Sequence, residues 1–172
     1  MTKHNLQRTT DNLQTGFSLV EALVAISVLL IAIAAPMTLA SRGIFSSNVA
    51  RDQITAFYLG GEAVEYVRNI RDENGLRGAA WLSGLANCTA PNSCTIDAKN
   101  KTVTACAGTC PALLLDTNHF YNYVSGGATS FVRSIQITSL TAAEAAIVAT
   151  VSWQTGAISR TITVRENIFN WQ

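Results

Sequence analysis

The amino-acid sequence predicts an α+β chain in which a long N-terminal helix packs on a C-terminal antiparallel sheet. Three observations carry that expectation. Residues 22–41 contain no charged side chain, and twenty residues of helix span about 30 Å, the thickness of a bilayer core. Beyond this block, apolar residues recur at three- and four-residue intervals as far as Ile70, the period of an amphipathic helix. Residues 131–164 instead alternate apolar and polar side chains, the period of strands with one buried face.

Composition narrows the class. The chain has 172 residues, enough for one domain plus a targeting segment. Hydrophobic residues make up 48% and charged residues only 13%, against roughly 25% charged in ordinary soluble domains. The apolar block and a Ser/Thr-rich second half explain the shortfall. The net charge of +1 offers no general attraction for nucleic acid, and none is expected as a partner.

The apolar block admits three readings. It is the core of a secretory signal cut after Ala34 or Ala40, a plain membrane anchor, or a segment retained after a cut on its N-terminal side. Lys3 and Arg8 precede it, which places the N-terminus in the cytoplasm and the bulk of the chain outside. Glu21 separates the readings. It stands at the edge of the uncharged run, where a signal core or an anchor gains nothing from a carboxylate. An acid there points to function. The structural alternative is an acid that reaches the interface or favours a helix N-terminus.

Gly16-Phe17-Ser18-Leu19-Val20-Glu21, followed by Ala-Leu-Val-Ala-Ile-Ser-Val-Leu-Leu-Ile, resembles the cleavage motif of type IV prepilins. The resemblance is high over residues 14–40 and looser over 56–72 and 167–171. It implies the type IV pilin fold and a cut between Gly16 and Phe17 by a prepilin peptidase. It also implies methylation of the new Phe17 amine, and a role for Glu21, fifth from the cut, in assembly. A buried charge is costly alone and tolerated when paired. In this scheme Glu21 of one subunit meets the Phe17 amine of a neighbour, and the pair reports axial register. Pro36 lies inside the block. In the family a proline near here accompanies a bend or melted stretch; the plain alternative is a kink at the membrane exit. The implied organisation is a leader (1–16), a membrane and filament-core helix (17–44) and a head (45–172). The implied partners are membrane lipid before assembly, the peptidase and methyltransferase, an inner-membrane assembly platform and other pilin subunits. The precursor is then a single-pass membrane protein, and the product an extracellular or envelope filament.

Past the block, Ile54, Phe57, Gly61, Val64, Val67 and Arg71, widened by Tyr58, Ala63 and Ile70, form the predicted apolar stripe. Arg68 and Asp72 are spaced to pair, and Asn74-Gly75 is the predicted stop. The helix would cover residues 17–74. Gly60-Gly61 marks either a close approach of another segment or a bend.

Residues 75–130 are rich in Gly and Pro and contain Cys88, Cys94, Cys106 and Cys110. An even cluster beyond a membrane segment reads as two disulfides. A zinc site is the alternative, disfavoured by C-x5-C and C-x3-C spacings. Thr95-Ile96 and Thr102-Val103-Thr104 are predicted to form a hairpin around residues 97–101. That would nest Cys88 with Cys110 and Cys94 with Cys106, while the local pairs Cys88–Cys94 and Cys106–Cys110 stay open. In the sheet, Phe131, Arg133, Ile135 and Ile137 share one face, as do Ile147, Ala149, Val151 and Trp153, then Ile158, Arg160, Ile162 and Val164. Gln154-Thr155-Gly156 is the predicted link between the last two.

No catalytic, metal or cofactor constellation emerges. His4 and His119 are the two histidines; Asp116 lies near His119, but no third group completes a triad. Lys99 and Lys101 at the hairpin tip are the candidates for contact with DNA or an acidic polymer, though two loop lysines are ordinarily just solvated. Asn87 and Asn100 head glycosylation-type triplets, a pattern frequent by chance. The expected function is a non-enzymatic subunit, major or minor, of a type IV pilus. A pseudopilin of a type II secretion machine, or a tip subunit for DNA uptake or adhesion, is the alternative.

Overall fold

A computed structural model describes residues 16–170. The expected leader residues Lys3, His4, Arg8 and Asp11, and Trp171 near the C-terminus, lie outside them. The chain divides into two compact units, residues 1–45 and 46–172. Helix α1, Leu19–Leu76, contributes to both.

In the first unit the described helical residues are exposed throughout and are apolar enough, over a sufficient length, to cross a membrane. The helix starts at Leu19, two residues later than expected from the sequence. It is unbroken at Pro36. The hydroxyls of Ser27, Thr38 and Ser41 each donate to the carbonyl four residues back, at 2.8–3.0 Å. Serine and threonine can satisfy their polar atoms in this way within an apolar helix.

In the second unit, one face of the helix packs on the sheet. The buried face is Ala56, Leu59, Gly60, Ala63, Val64 and Val67. It differs from the predicted stripe at its N-terminal end, where Ile54 and Phe57 are more than half exposed. The close approach is local to Gly60: a Cβ built there would sit 2.8 Å from Val164 Cγ2, and the fully buried Ala56 and Ala63 lie about one turn to either side. Gly60 is therefore a close approach and not a bend; beside it, nothing lies within 4 Å of a Cβ at Gly61 among the described residues.

The helix ends two residues beyond the predicted Asn74. Ala79 N–H donates to Asn74 O at 2.9 Å and Gly78 N–H to Gly75 O at 3.0 Å, with Gly78 at φ 67°. This is a Schellman stop, whose left-handed position favours glycine. Asn74 serves the following turn instead, its Nδ2 donating to the carbonyls of Trp81 and Ser83. Arg68 pairs with Glu65 and Glu166, and Asp72 with Arg71, so the predicted Arg68–Asp72 pair does not form.

Among the described residues the strands make one seven-stranded antiparallel sheet. The predicted hairpin is β1 (Cys94–Asp97) and β2 (Thr102–Ala105). Two short strands not anticipated, β3 (Ala112–Leu115) and β4 (Tyr121–Asn122), follow it. The long strands are β5 (Gly127–Thr141), β6 (Glu144–Thr155) and β7 (Ile158–Phe169). β5 is the centre, bordered by β1 and β3 on one edge and β6 on the other. The tight link between β6 and β7 is Gly156-Ala157, with Gly156 at φ 62°; Gln154 and Thr155, expected in the link, belong to the strand.

The predicted inward faces hold for β5 and β6. Phe131, Arg133, Ile135, Ile137, Ile147, Ala149, Val151 and Trp153 are all buried. On β7 the same face is partly covered at Arg160, Ile162 and Val164, and Ile158 is half-exposed. Full burial of one Val or Leu contributes about 1.5–3 kcal/mol, so this apolar layer holds helix and sheet together.

The disulfides are Cys88–Cys94 and Cys106–Cys110, with Cα separations of 4.7 and 4.9 Å. The nested pairing does not occur, although the hairpin does. The register sets Cys94 opposite Ala105, so Cys106 is one residue past its cross-strand position. A one-residue offset in a strand reverses the side. Cys94 turns into the core beside Cys88, both fully buried. With every cysteine oxidised, none is a free thiolate to ligate zinc.

Candidate processing and assembly site

The residues expected to carry processing cluster at the start of α1. Ser18 begins the helix. Its carbonyl accepts the first helical bond, from Ala22 N–H at 3.1 Å, and its Oγ accepts from Glu21 N–H at 3.2 Å. That is N-capping geometry, in which a hydroxyl satisfies a donor that has no partner inside the helix. Ser18 escaped the sequence reading; the signal available was a serine three positions before a glutamate, ahead of an apolar run.

Gly16, Phe17 and Ser18 lie outside the regular helix, and Phe17 is 79% exposed. Among the described residues nothing lies within 4 Å of a Cβ built on Gly16. The fold described here therefore imposes no steric need for glycine at that position. Glu21 falls in the first turn, where the partial positive charge of the helix end favours a carboxylate. Its side chain is exposed.

The lysines at the hairpin tip are differently placed. The Lys99 ammonium is ion-paired with Asp116. Asp116 also accepts from the N–H groups of Asn118 and Phe120, each at 2.9 Å. The Lys99 bond and the Phe120 N–H hold the Asp116 carboxyl below its ordinary value. Lys101, at φ 55°, lines a cleft of about 990 Å³ with Arg68, Arg71 and Glu166. His119 adopts φ 64° within the turn after Asp116. Phe120 is 60% exposed, whereas Tyr121 and Tyr123 are half-buried against the cluster around Phe131 and Trp153. Among the described residues no three His, Cys, Asp or Glu side chains are grouped to hold a metal ion.

No curated protein and no solved structure matches the chain. Residues 11–35 match the family described as the prokaryotic N-terminal methylation motif, and the chain therefore carries the cleavage and methylation motif of type IV prepilins.

Proposed function

We propose that this chain is a structural subunit, major or minor, of a type IV pilus or related filament. One observation carries the reading. The matched segment, residues 11–35, includes a Gly16–Phe17 bond in non-helical backbone and Glu21 in the first helical turn, and runs on into an apolar helix whose residues 19–45 are exposed among the described residues. Hydrolysis of the Gly16–Phe17 amide leaves a carboxylate on Gly16 and an amine on Phe17, which then accepts a methyl group from a methyl donor. The leader is then 1–16, the filament-core helix 17–44 and the head 45–172. The precursor waits in the lipid with its N-terminus cytoplasmic, because Lys3 and Arg8 stay on that side.

Assembly moves the apolar helix from lipid to neighbouring helices, where packing supplies cohesion. The Phe17 amine and Glu21 of adjacent subunits then select register, since a slip leaves both charges unpaired. The two disulfides support a head located outside the cytoplasm.

Mass spectrometry of the mature protein tests processing: a chain starting at methylated Phe17 is expected, and a start after Ala34 or Ala40 overturns the reading. Glu21→Ala tests assembly. It should be cut normally yet form few filaments, and filaments at wild-type abundance would remove Glu21 from the mechanism.

A further inference from the structure

We propose that Ser18 is a positioning residue for the cut: by capping α1 it keeps the Gly16–Phe17 amide out of the helix and open to a membrane peptidase. This rests on the cleavage reading above. The bond to be broken joins the two residues that precede the cap. Hydrolysis requires a water oxygen to reach the Gly16 carbonyl carbon, the C–N bond to break, and a proton to pass to the Phe17 nitrogen. A carbonyl inside a helix accepts from the N–H four residues on, here that of Val20, and is wrapped by the turn. Exposed, irregular backbone is where peptide bonds are ordinarily cut.

The boundary depends on the two bonds Ser18 accepts, from Ala22 N–H and Glu21 N–H. The nearest upstream side chain able to cap is Thr15. A helix started there would hold Gly16 and Phe17 in its first turn. Gly16 opposes that extension through its poor helix propensity, and Ser18 opposes it by rewarding a later start. Ser18 therefore acts on the conformation of the scissile bond and not on the chemistry.

The test is the initial rate of leader release from the full-length chain in membrane vesicles containing a prepilin peptidase. Ser18→Ala should be cut about fivefold more slowly, the fold-change equivalent to the ~1 kcal/mol of a lost cap. Ser18→Asn and Ser18→Asp, which cap without a hydroxyl, should return the rate to within about twofold of wild type. Adding Thr15→Val to Ser18→Ala should recover much of the loss by removing the competing start. Equal rates for Ser18→Ala and wild type would overturn the proposal. So would rescue by Ser18→Thr alone, since the peptidase would then be reading the hydroxyl itself. A wild-type chain never cut between Gly16 and Phe17 would instead overturn the cleavage reading, and the role of Ser18 with it.

Discussion

Arg133 on β5 reaches the helix: its Nη1 lies 2.6 Å from Glu62 Oε2 and 2.8 Å from the Leu59 carbonyl, while Nη2 lies 2.5 Å from the Ile96 carbonyl. One guanidinium thus ties α1, the central strand and the β1–β2 hairpin. Asp52–Thr155 and Arg68–Glu166 tie the same helix to the sheet on either side. The Arg133 side chain is 1% exposed and that of Glu62 is 41% exposed. Removing one partner of a buried pair costs about 3–5 kcal/mol. Arg133→Ala should lose stability on that scale, because it also empties a cavity. Glu62→Gln should cost less, about 1–2 kcal/mol, because water reaches the carboxylate. Urea midpoints of the purified variants decide the order; a larger loss for Glu62→Gln would contradict it.

The adjacent glycines should respond in opposite directions. Gly61→Ala gains helix propensity in open space and should stabilise by about 1 kcal/mol. Gly60→Ala meets Val164 Cγ2 at 2.8 Å and should destabilise by about 1–3 kcal/mol through overpacking. Thermal denaturation reads both, and Val164→Ala introduced beside Gly60→Ala should recover part of the loss.

Cysteine connectivity is checked by non-reducing digestion and mass spectrometry. Peptides linking Cys88 to Cys94 and Cys106 to Cys110 are expected. A Cys94–Cys106 link would contradict the β1–β2 register. Each local loop is short, so its closure contributes about 2 kcal/mol in the chain-entropy account. Cys88→Ala with Cys94→Ala should cost more than the Cys106→Ala, Cys110→Ala pair, since Cys88 and Cys94 pack within the core.

Acid should weaken the hairpin tip. Burial pushes the Asp97 carboxyl upward, but donors from the Asn100 side chain, Tyr123 N–H and Asn100 N–H outweigh it and hold the group below its ordinary value. Asp116 is lowered as well. A carboxylate with a depressed folded-state pKa contributes stability above its unfolded value, about 3.9, and loses it as pH falls through the folded value. Melting temperature should therefore be flat near neutrality and fall below about pH 4. Asp97→Asn should shallow that fall. An unchanged acid slope in this variant would exclude Asp97 as a contributor.

The amino-acid sequence by itself determined what depends on short-range pattern. The uncharged run at 22–41, the strand alternation around Ile135 and Val151, the hairpin at residues 95–104 and the Gly16-to-Glu21 motif are all properties of neighbouring residues. Hydrophobic period and turn chemistry act at that range. Tertiary structure alone decided which helical face meets the sheet, why Gly60 is bare, which cysteines pair and where Arg133 finds its carboxylate. Those outcomes turn on register and approach between distant segments, such as Glu62 and Arg133, separated by 71 positions. One residue of strand register reverses a side chain, and one missing Cβ sets how near the helix comes. No local pattern encodes either quantity.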